Sequence, residues 1–269
     1  MDLHPERVAA TLEEVRRRSP VVHNITNFVV MNTTANALLA VGASPVMAHA
    51  PEEVEEMAGL AQALVINIGT LSGHWVHAML LAAREAQRRG IPIVLDPVGA
   101  GATSYRTETA RELMDAVPLS VIRGNASEIR ALVEGDAKTK GVDSLAVSDS
   151  ALAAARELNR SRGSVVCVSG ETDYIVGPAG TLSIRNGHPL MPRVTGLGCT
   201  ATALCGAFAA VEKDLVLAVA SAMAVMGIAG EMAGEKAAGP GTMQLHFLDA
   251  LWVMTAGDIG RRLRAEALS

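Results

Sequence analysis

Aromatic residues are scarce: two Trp, two Tyr and three Phe in 269 residues. The core must therefore be built from Ala, Val, Leu, Ile and Met, which favours close packing of helices on a sheet. Only three cysteines occur. They are too few for a disulfide framework and lack the C-x₂₋₄-C spacing of zinc sites, which fits a reducing cytoplasm. Charged residues make up 19% of the chain, the formal net charge is −5, and no Lys/Arg block appears. A nucleic-acid partner is thereby excluded. No apolar run reaches the roughly 20 residues that a spanning helix needs. The longest, residues 215–230, lies between Asp214 and Glu231 and reads as a buried helix, so no membrane partner is expected. Residues 1–19 are charged throughout and offer no apolar stretch for a secretory signal, which again points to the cytoplasm.

What is present is a chain that is 49% hydrophobic, enough to offset chain entropy and exclude disorder. Strand-like and helix-like segments alternate. Apolar, β-branched runs at 20–25, 44–47, 63–68, 91–95, 120–122 and 164–168 read as strands. The segments 5–18, 29–40, 52–60, 73–89, 106–116, 126–134 and 147–161 read as helices. Such alternation implies a mostly parallel sheet with helices on both faces. Residues 172–186, with turns at Gly177-Pro178 and Asn186-Gly187, read as two or three strands of an antiparallel edge. From about residue 199 the pattern is helical nearly to the end. No linker, repeat or low-complexity stretch divides the chain, so residues 1–269 read as one domain.

Chemistry-bearing residues gather where strands end. Asp96 follows the run 91–95, at the edge where open α/β sheets bind ligands. Its carboxylate suits Mg²⁺, which takes one or two carboxylates together with phosphates and waters. Arg123-Gly124-Asn125-Ala126-Ser127-Glu128 closes the next strand. There Arg123 suits phosphate oxygens, and Asn125 with Glu128 has the spacing of a capping box. Ser169-Gly170 closes another. Thr195-Gly196-Leu197-Gly198-Cys199-Thr200 then opens a long apolar helix. Its first N–H groups and the helix dipole make an anion site, unless Thr195 or Thr200 caps the turn. At that position a thiol is expected to shift toward the thiolate, making Cys199 a candidate base or nucleophile. Cys167 and Cys205 read as buried. His23-Asn24-Ile25-Thr26-Asn27 brings polar groups beside Val46 and Met47, a mixture that suits a small heteroaromatic ligand. The remaining histidines show no metal spacing.

These blocks resemble the hydroxyethylthiazole kinases of the ribokinase-like superfamily. Val22-His23-Asn24-Ile25-Thr26-Asn27, Asn32-Thr33-Thr34-Ala35-Asn36, Gly42-Ala43-Ser44-Pro45-Val46-Met47, Asp96-Pro97-Val98-Gly99-Ala100, Arg123 through Glu128 and Gly196-Leu197-Gly198-Cys199 occur in that family's order. Most ribokinase-like enzymes carry Asp at the position of Cys199, whereas the thiazole kinases carry Cys. The resemblance implies a ribokinase-like three-layer α/β sandwich. It also implies transfer of a phosphoryl group from ATP, with Mg²⁺, to the primary alcohol of 4-methyl-5-(2-hydroxyethyl)thiazole in thiamine synthesis. It implies substrate contacts at Met47, Gly196 and Asn27, and ATP contacts at Arg123, Ser169 and Gly198. Metal contacts fall to Asp96 and Glu128, and catalysis to Cys199. A homotrimer with sites between subunits is implied as well. The alternatives of other class are a ribokinase-like dehydratase of hydrated nicotinamide nucleotides and a non-catalytic binding protein. A kinase for another vitamin-precursor alcohol is a third.

Overall fold

The structure, a computed structural model, describes residues 2–133 and 144–268. In chain order its elements are α1 (Pro5–Arg18), β1 (Val21–Ile25), α2 (Met31–Val41), β2 (Ser44–Val46), α3 (Val54–Leu60), β3 (Ala63–Asn67) and α4 (Gly73–Arg89). Next come β4 (Ile93–Asp96), α5 (Ser104–Ala116), β5 (Val121–Asn125), α6 (Ala126–Val133), α7 (Ser144–Arg162), β6 (Val165–Ser169), β7 (Asp173–Gly177) and β8 (Gly180–Ile184). The chain ends with α8 (Leu197–Ala209), α9 (Leu215–Gly234), α10 (Pro240–Val253), α11 (Ala256–Arg262) and β9 (Ala265–Leu268). The expected end of α6 at residue 134 lies outside the described residues.

All nine strands lie in one sheet in the order β2-β1-β3-β4-β5-β6-β7-β8-β9. Pairing is parallel from β2 through β6 and antiparallel from β6 to β9. The ribokinase-like α/β sandwich with an antiparallel edge is thus the observed architecture. β9 is an addition: Ala-Glu-Ala-Leu carries no β-branched residue, and its pairing with β8 supplies what local propensity does not. α9 also differs from expectation. It runs past Glu231 to Gly234, so among the described residues it is the one helix long and apolar enough to cross a membrane. Most of it is buried within the protein, against α1, α8 and α10.

Strand side chains alternate between the two faces of the sheet. Ala63 and Val65 of β3, Val94 of β4, Val121 of β5, and Val165 and Cys167 of β6 pack with α1, α2, α8, α9 and α10. Leu64 and Ile66, Ile93 and Leu95, Ile122, and Val166 and Val168 face α3–α7. Continuing that period of two puts Asn67, Asp96, Arg123 and Ser169 on the α8 face at the carboxyl ends of four neighbouring strands. Each strand thus ends its apolar run with a polar residue aimed at the start of one helix. α8 comes close because its glycine is small: a Cβ on Gly206 would lie 2.5 Å from Val65.

Candidate active site

α8 starts at Gly196, whose φ of 86° puts it in the left-handed region that glycine tolerates. A Cβ there would also meet Val30 Cγ1 at 2.8 Å. No side chain caps this helix, so neither Thr195 nor Thr200 satisfies its first N–H groups. Thr200 N–H bonds Gly196 O at 2.9 Å, which leaves the N–H groups of Leu197, Gly198 and Cys199 outside the helical pattern. They form a row of donors at the positive end of the helix dipole.

Beneath that row lies a chain of side-chain hydrogen bonds. Asn27 Nδ2 donates to Asn67 Oδ1 at 2.8 Å and to Cys199 Sγ at 3.5 Å. Asn67 Nδ2 donates to Asp96 Oδ2 at 2.9 Å, and Thr202 Oγ1 donates to the same oxygen at 2.7 Å. All four of Asn27, Asn67, Asp96 and Thr202 are buried. Burial pushes the Asp96 carboxyl up to about 7, against the pull of Arg123 and of the Thr202 and Asn67 hydrogen bonds. Asn67 and Thr202 were not singled out from sequence. A signal existed for each: an Asn inside an apolar strand run, and a hydroxyl one turn after Cys199.

The thiol of Cys199 departs from expectation. Burial, then the nearby charge of Asp96, pushes it up rather than toward the thiolate, although Asn67, Asn27 and Arg123 act in the opposite sense. Desolvation outweighs the helix start here. Cys167 and Cys205 are buried as expected, and all three cysteines are free.

Arg123 Nη1 donates to Gly198 O at 3.0 Å, and a Cβ on Gly198 would crowd the same nitrogen at 3.3 Å. Among the described residues its Nε is buried with no partner. Ser169 Oγ donates to Gly124 O at 3.2 Å, so this hydroxyl sits beside the Arg123 strand. Asp173, also missed from sequence, accepts from Gly170 N–H at 3.1 Å and is pushed up to about 6 by burial, which the Arg123 charge opposes.

Glu128 does what the capping-box reading described. Its Oε2 accepts from Asn125 N–H at 2.8 Å, and Asn125 Oδ1 accepts from Glu128 N–H at 3.0 Å. Its Oε1 accepts from Gly99 N–H at 2.9 Å. Each oxygen thus accepts one backbone N–H. Arg106 braces the same region. It donates to Val98 O at 2.6 Å and to Gly69 O at 2.7 Å, joining the loops after β3 and β4.

Met47 follows β2 and is part-exposed, outside the main core. Its carbonyl faces His49 Nδ1 at 3.4 Å. Nearby, the rings of Phe28 and His49 pack on Trp75 with centroids at 4.7 and 4.6 Å. Two of the seven aromatic residues, Phe28 and Trp75, thus meet directly after Asn27. Two surface cavities of about 370 and 320 Å³ lie elsewhere, one along residues 114–119 with Arg162 and one between Trp252, His246 and Arg262. A small cavity beside the start of α8 is lined by Thr33, Thr195, Leu197 and Thr200.

The sequence profile of the hydroxyethylthiazole kinase family matches residues 12–257. The chain belongs to that family. It is 64% identical to the hydroxyethylthiazole kinase of Syntrophus aciditrophicus over 268 residues, covering 99% of each chain. The solved structure of the hydroxyethylthiazole kinase protein from Pyrococcus horikoshii superposes with a TM-score of 0.90 at 44% identity, covering 98% of this chain and all of that one. A Staphylococcus aureus pyridoxal kinase in complex with pyridoxal shares the fold, with a TM-score of 0.66 at 15% identity over 92% of this chain and 97% of its own. That likeness is one of fold alone.

Proposed function

We propose that the chain phosphorylates the primary hydroxyl of 4-methyl-5-(2-hydroxyethyl)thiazole with ATP, in thiamine synthesis or salvage. The observation that carries this reading is the meeting of Cys199 and the uncapped start of α8 with Asp96 and Arg123, in a chain of this family. Its single continuous sheet supports treating residues 1–269 as one domain.

Arg123, Ser169 and the N–H of Gly198 take the phosphates of ATP. The unpartnered Nε of Arg123 and the open N–H row are donors that a polyphosphate would satisfy. Met47, Gly196 and Asn27 take the thiazole, with the Phe28–Trp75–His49 rings as the apolar wall. Asp96 fits Mg²⁺: both of its side-chain hydrogen bonds fall on Oδ2, so Oδ1 is the oxygen left for a hard cation. Glu128 is the second carboxylate for the ion, since each of its oxygens keeps a lone pair beyond its one backbone N–H, and it also shapes the Gly99 loop. When bound, Mg²⁺ supplies charge neutralisation on the phosphate oxygens.

Phosphoryl transfer passes through a loose transition state, so placement and charge stabilisation dominate. The substrate oxygen bonds to the γ-phosphorus as the β–γ bridging oxygen leaves with ADP. Arg123 and the N–H groups of residues 197–199 face the charge that develops. A thiol pushed upward is a poor early base. Cys199 therefore holds the acceptor hydroxyl in line, and the proton leaves late, to solvent.

A homotrimer with sites between subunits completes the reading. Phe28 and Val29, directly after Asn27, are 66% and 61% exposed. α2 and α10 pack together and present Leu39 and Leu245 to solvent. Exposed apolar side chains of this kind are ones that a neighbouring copy would cover. The three free cysteines agree with a reducing cytoplasm. Product identity is the test. Incubation with ATP, Mg²⁺ and the thiazole alcohol yields its phosphate ester and ADP in equal amounts; ADP with inorganic phosphate alone refutes the reading.

A further inference from the structure

Asn67 occupies the middle of the site's polar chain, and its amide has only one orientation available. Gly69 N–H is a backbone donor at 3.0 Å from Asn67 Oδ1, so that atom must be the oxygen. The nitrogen then necessarily faces Asp96 Oδ2. Asn27 is fixed the same way: Val29 N–H donates to its Oδ1 at 3.1 Å, so its nitrogen must face Asn67 Oδ1 and Cys199 Sγ. Two backbone N–H groups thus set the polarity of the whole chain. Cys199 meets a donor, and Asp96 meets two donors on one oxygen only. Gly69 makes a second contribution, because a Cβ there would lie 2.5 Å from Asn27 Nδ2. The approach of Asn27 to the thiol depends on that missing methyl group.

We propose that Asn67 is a positioning residue that couples the two sides of the site. Through its nitrogen it holds Asp96 so that Oδ1 faces the reaction. Through its oxygen and Asn27 it turns the sulfur of Cys199 toward the acceptor hydroxyl. This rests on the reading that Asp96 and Cys199 serve phosphoryl transfer to the thiazole alcohol.

The experiment measures kcat and KM for both substrates in Asn67→Ala, Asn67→Asp and Gly69→Ala, alone and in a Cys199→Ala background. Asn67→Asp keeps the acceptor for Gly69 and Asn27 but turns an acceptor toward Asp96. Gly69→Ala keeps the backbone N–H and puts its new methyl group against Asn27. The expected result is a fall in kcat of about 30-fold or more for each Asn67 variant, with KM values within threefold, the order of effect for misplaced catalytic groups. The losses from Asn67→Ala and Cys199→Ala multiply to more than the double variant shows, by at least threefold. A merely structural role predicts full multiplication, and so would overturn the proposal, as would losses confined to KM. Independently of turnover, iodoacetamide alkylation of Cys199, the one cysteine not buried, is followed by mass spectrometry. Its rate in Asn67→Ala and Gly69→Ala differs from the parent protein by at least threefold; equal rates overturn the coupling. If the variants' alkylation rates differ from the parent's as expected but the parent chain forms no thiazole phosphate, the substrate reading fails while the coupling stands.

Discussion

Asn125 and Glu128 exchange hydrogen bonds, each side chain accepting the other's backbone N–H at 3.0 and 2.8 Å. The same glutamate reaches across to Gly99 N–H at 2.9 Å. One side chain therefore fastens the start of α6 to the loop after β4. Glu128→Ala keeps the Asn125 cap but leaves the Asn125 and Gly99 N–H donors without their acceptor, for a loss of about 1–3 kcal/mol. Urea unfolding checks this, with a lower midpoint and an unchanged m-value expected. A stability equal to the parent protein's contradicts a structural role for Glu128.

Cys199→Ala should retain nucleotide binding and lose kcat at the lower end of the range of about 10²–10⁴ that acid–base groups contribute. The upward push on the thiol is the reason, since a protonated sulfur contributes placement more than proton removal. Cys199→Asp should stay active. Calorimetric titration with Mg²⁺-ATP together with steady-state rates separates the two effects. Lost nucleotide binding would place Cys199 in the wrong half of the site.

Gly196→Ala forces a side chain into the left-handed region and into Val30, at a cost of about 1–2 kcal/mol for the conformation alone. The uncapped N–H row moves with it. Thermal melting and the KM for ATP both report the change, and a variant with unchanged KM would show that this row does not touch the nucleotide.

His23 gives a pH signature. It is buried, its Nε2 lies 2.8 Å from Ala48 O, and its Nδ1 has no partner among the described residues. Burial holds its pKa below the ordinary value, against the Ala48 hydrogen bond and Glu53. The unfolded chain then binds more protons than the folded one as pH falls below about 6.5, so stability drops in that direction and is level above it. The slope from this one group is at most about 1.4 kcal/mol per pH unit. His23→Gln should flatten the curve between pH 6.5 and 5 relative to the parent protein. Parallel curves would remove His23 from the account.

Phe28→Asp and Val29→Asp test the trimer. Light scattering should give three copies for the parent chain and one for the double variant, with thiazole KM raised at least tenfold, an outcome expected when a buried apolar contact at an interface is replaced by charge. A monomeric parent chain that is fully active contradicts shared sites.

Much of the architecture was legible because strands buried on both faces read as apolar runs that end abruptly in Asp96, Arg123 and Ser169. That those ends share one face became visible only in the structure, from which strand residues pack against α8 and which against α3–α7. β9 was hidden, since Ala265 to Leu268 form a strand only by pairing with β8. Asn67 was read as part of its strand, because nothing local distinguishes a buried linking amide from a tolerated polar residue. The direction of the Cys199 shift was misread because a helix start is visible in sequence, whereas burial and the approach of Asp96 are tertiary. Glu128 was given both a capping and a metal reading, and only geometry shows where its two oxygens point.

The most direct measurement is ADP release with Mg²⁺-ATP and the hydroxyethylthiazole, run beside hydroxymethylpyrimidine and pyridoxal at equal concentration. The account predicts turnover with the thiazole and little with the other two alcohols. Preferred turnover of either rival, or ATP binding with no alcohol phosphorylated, contradicts it.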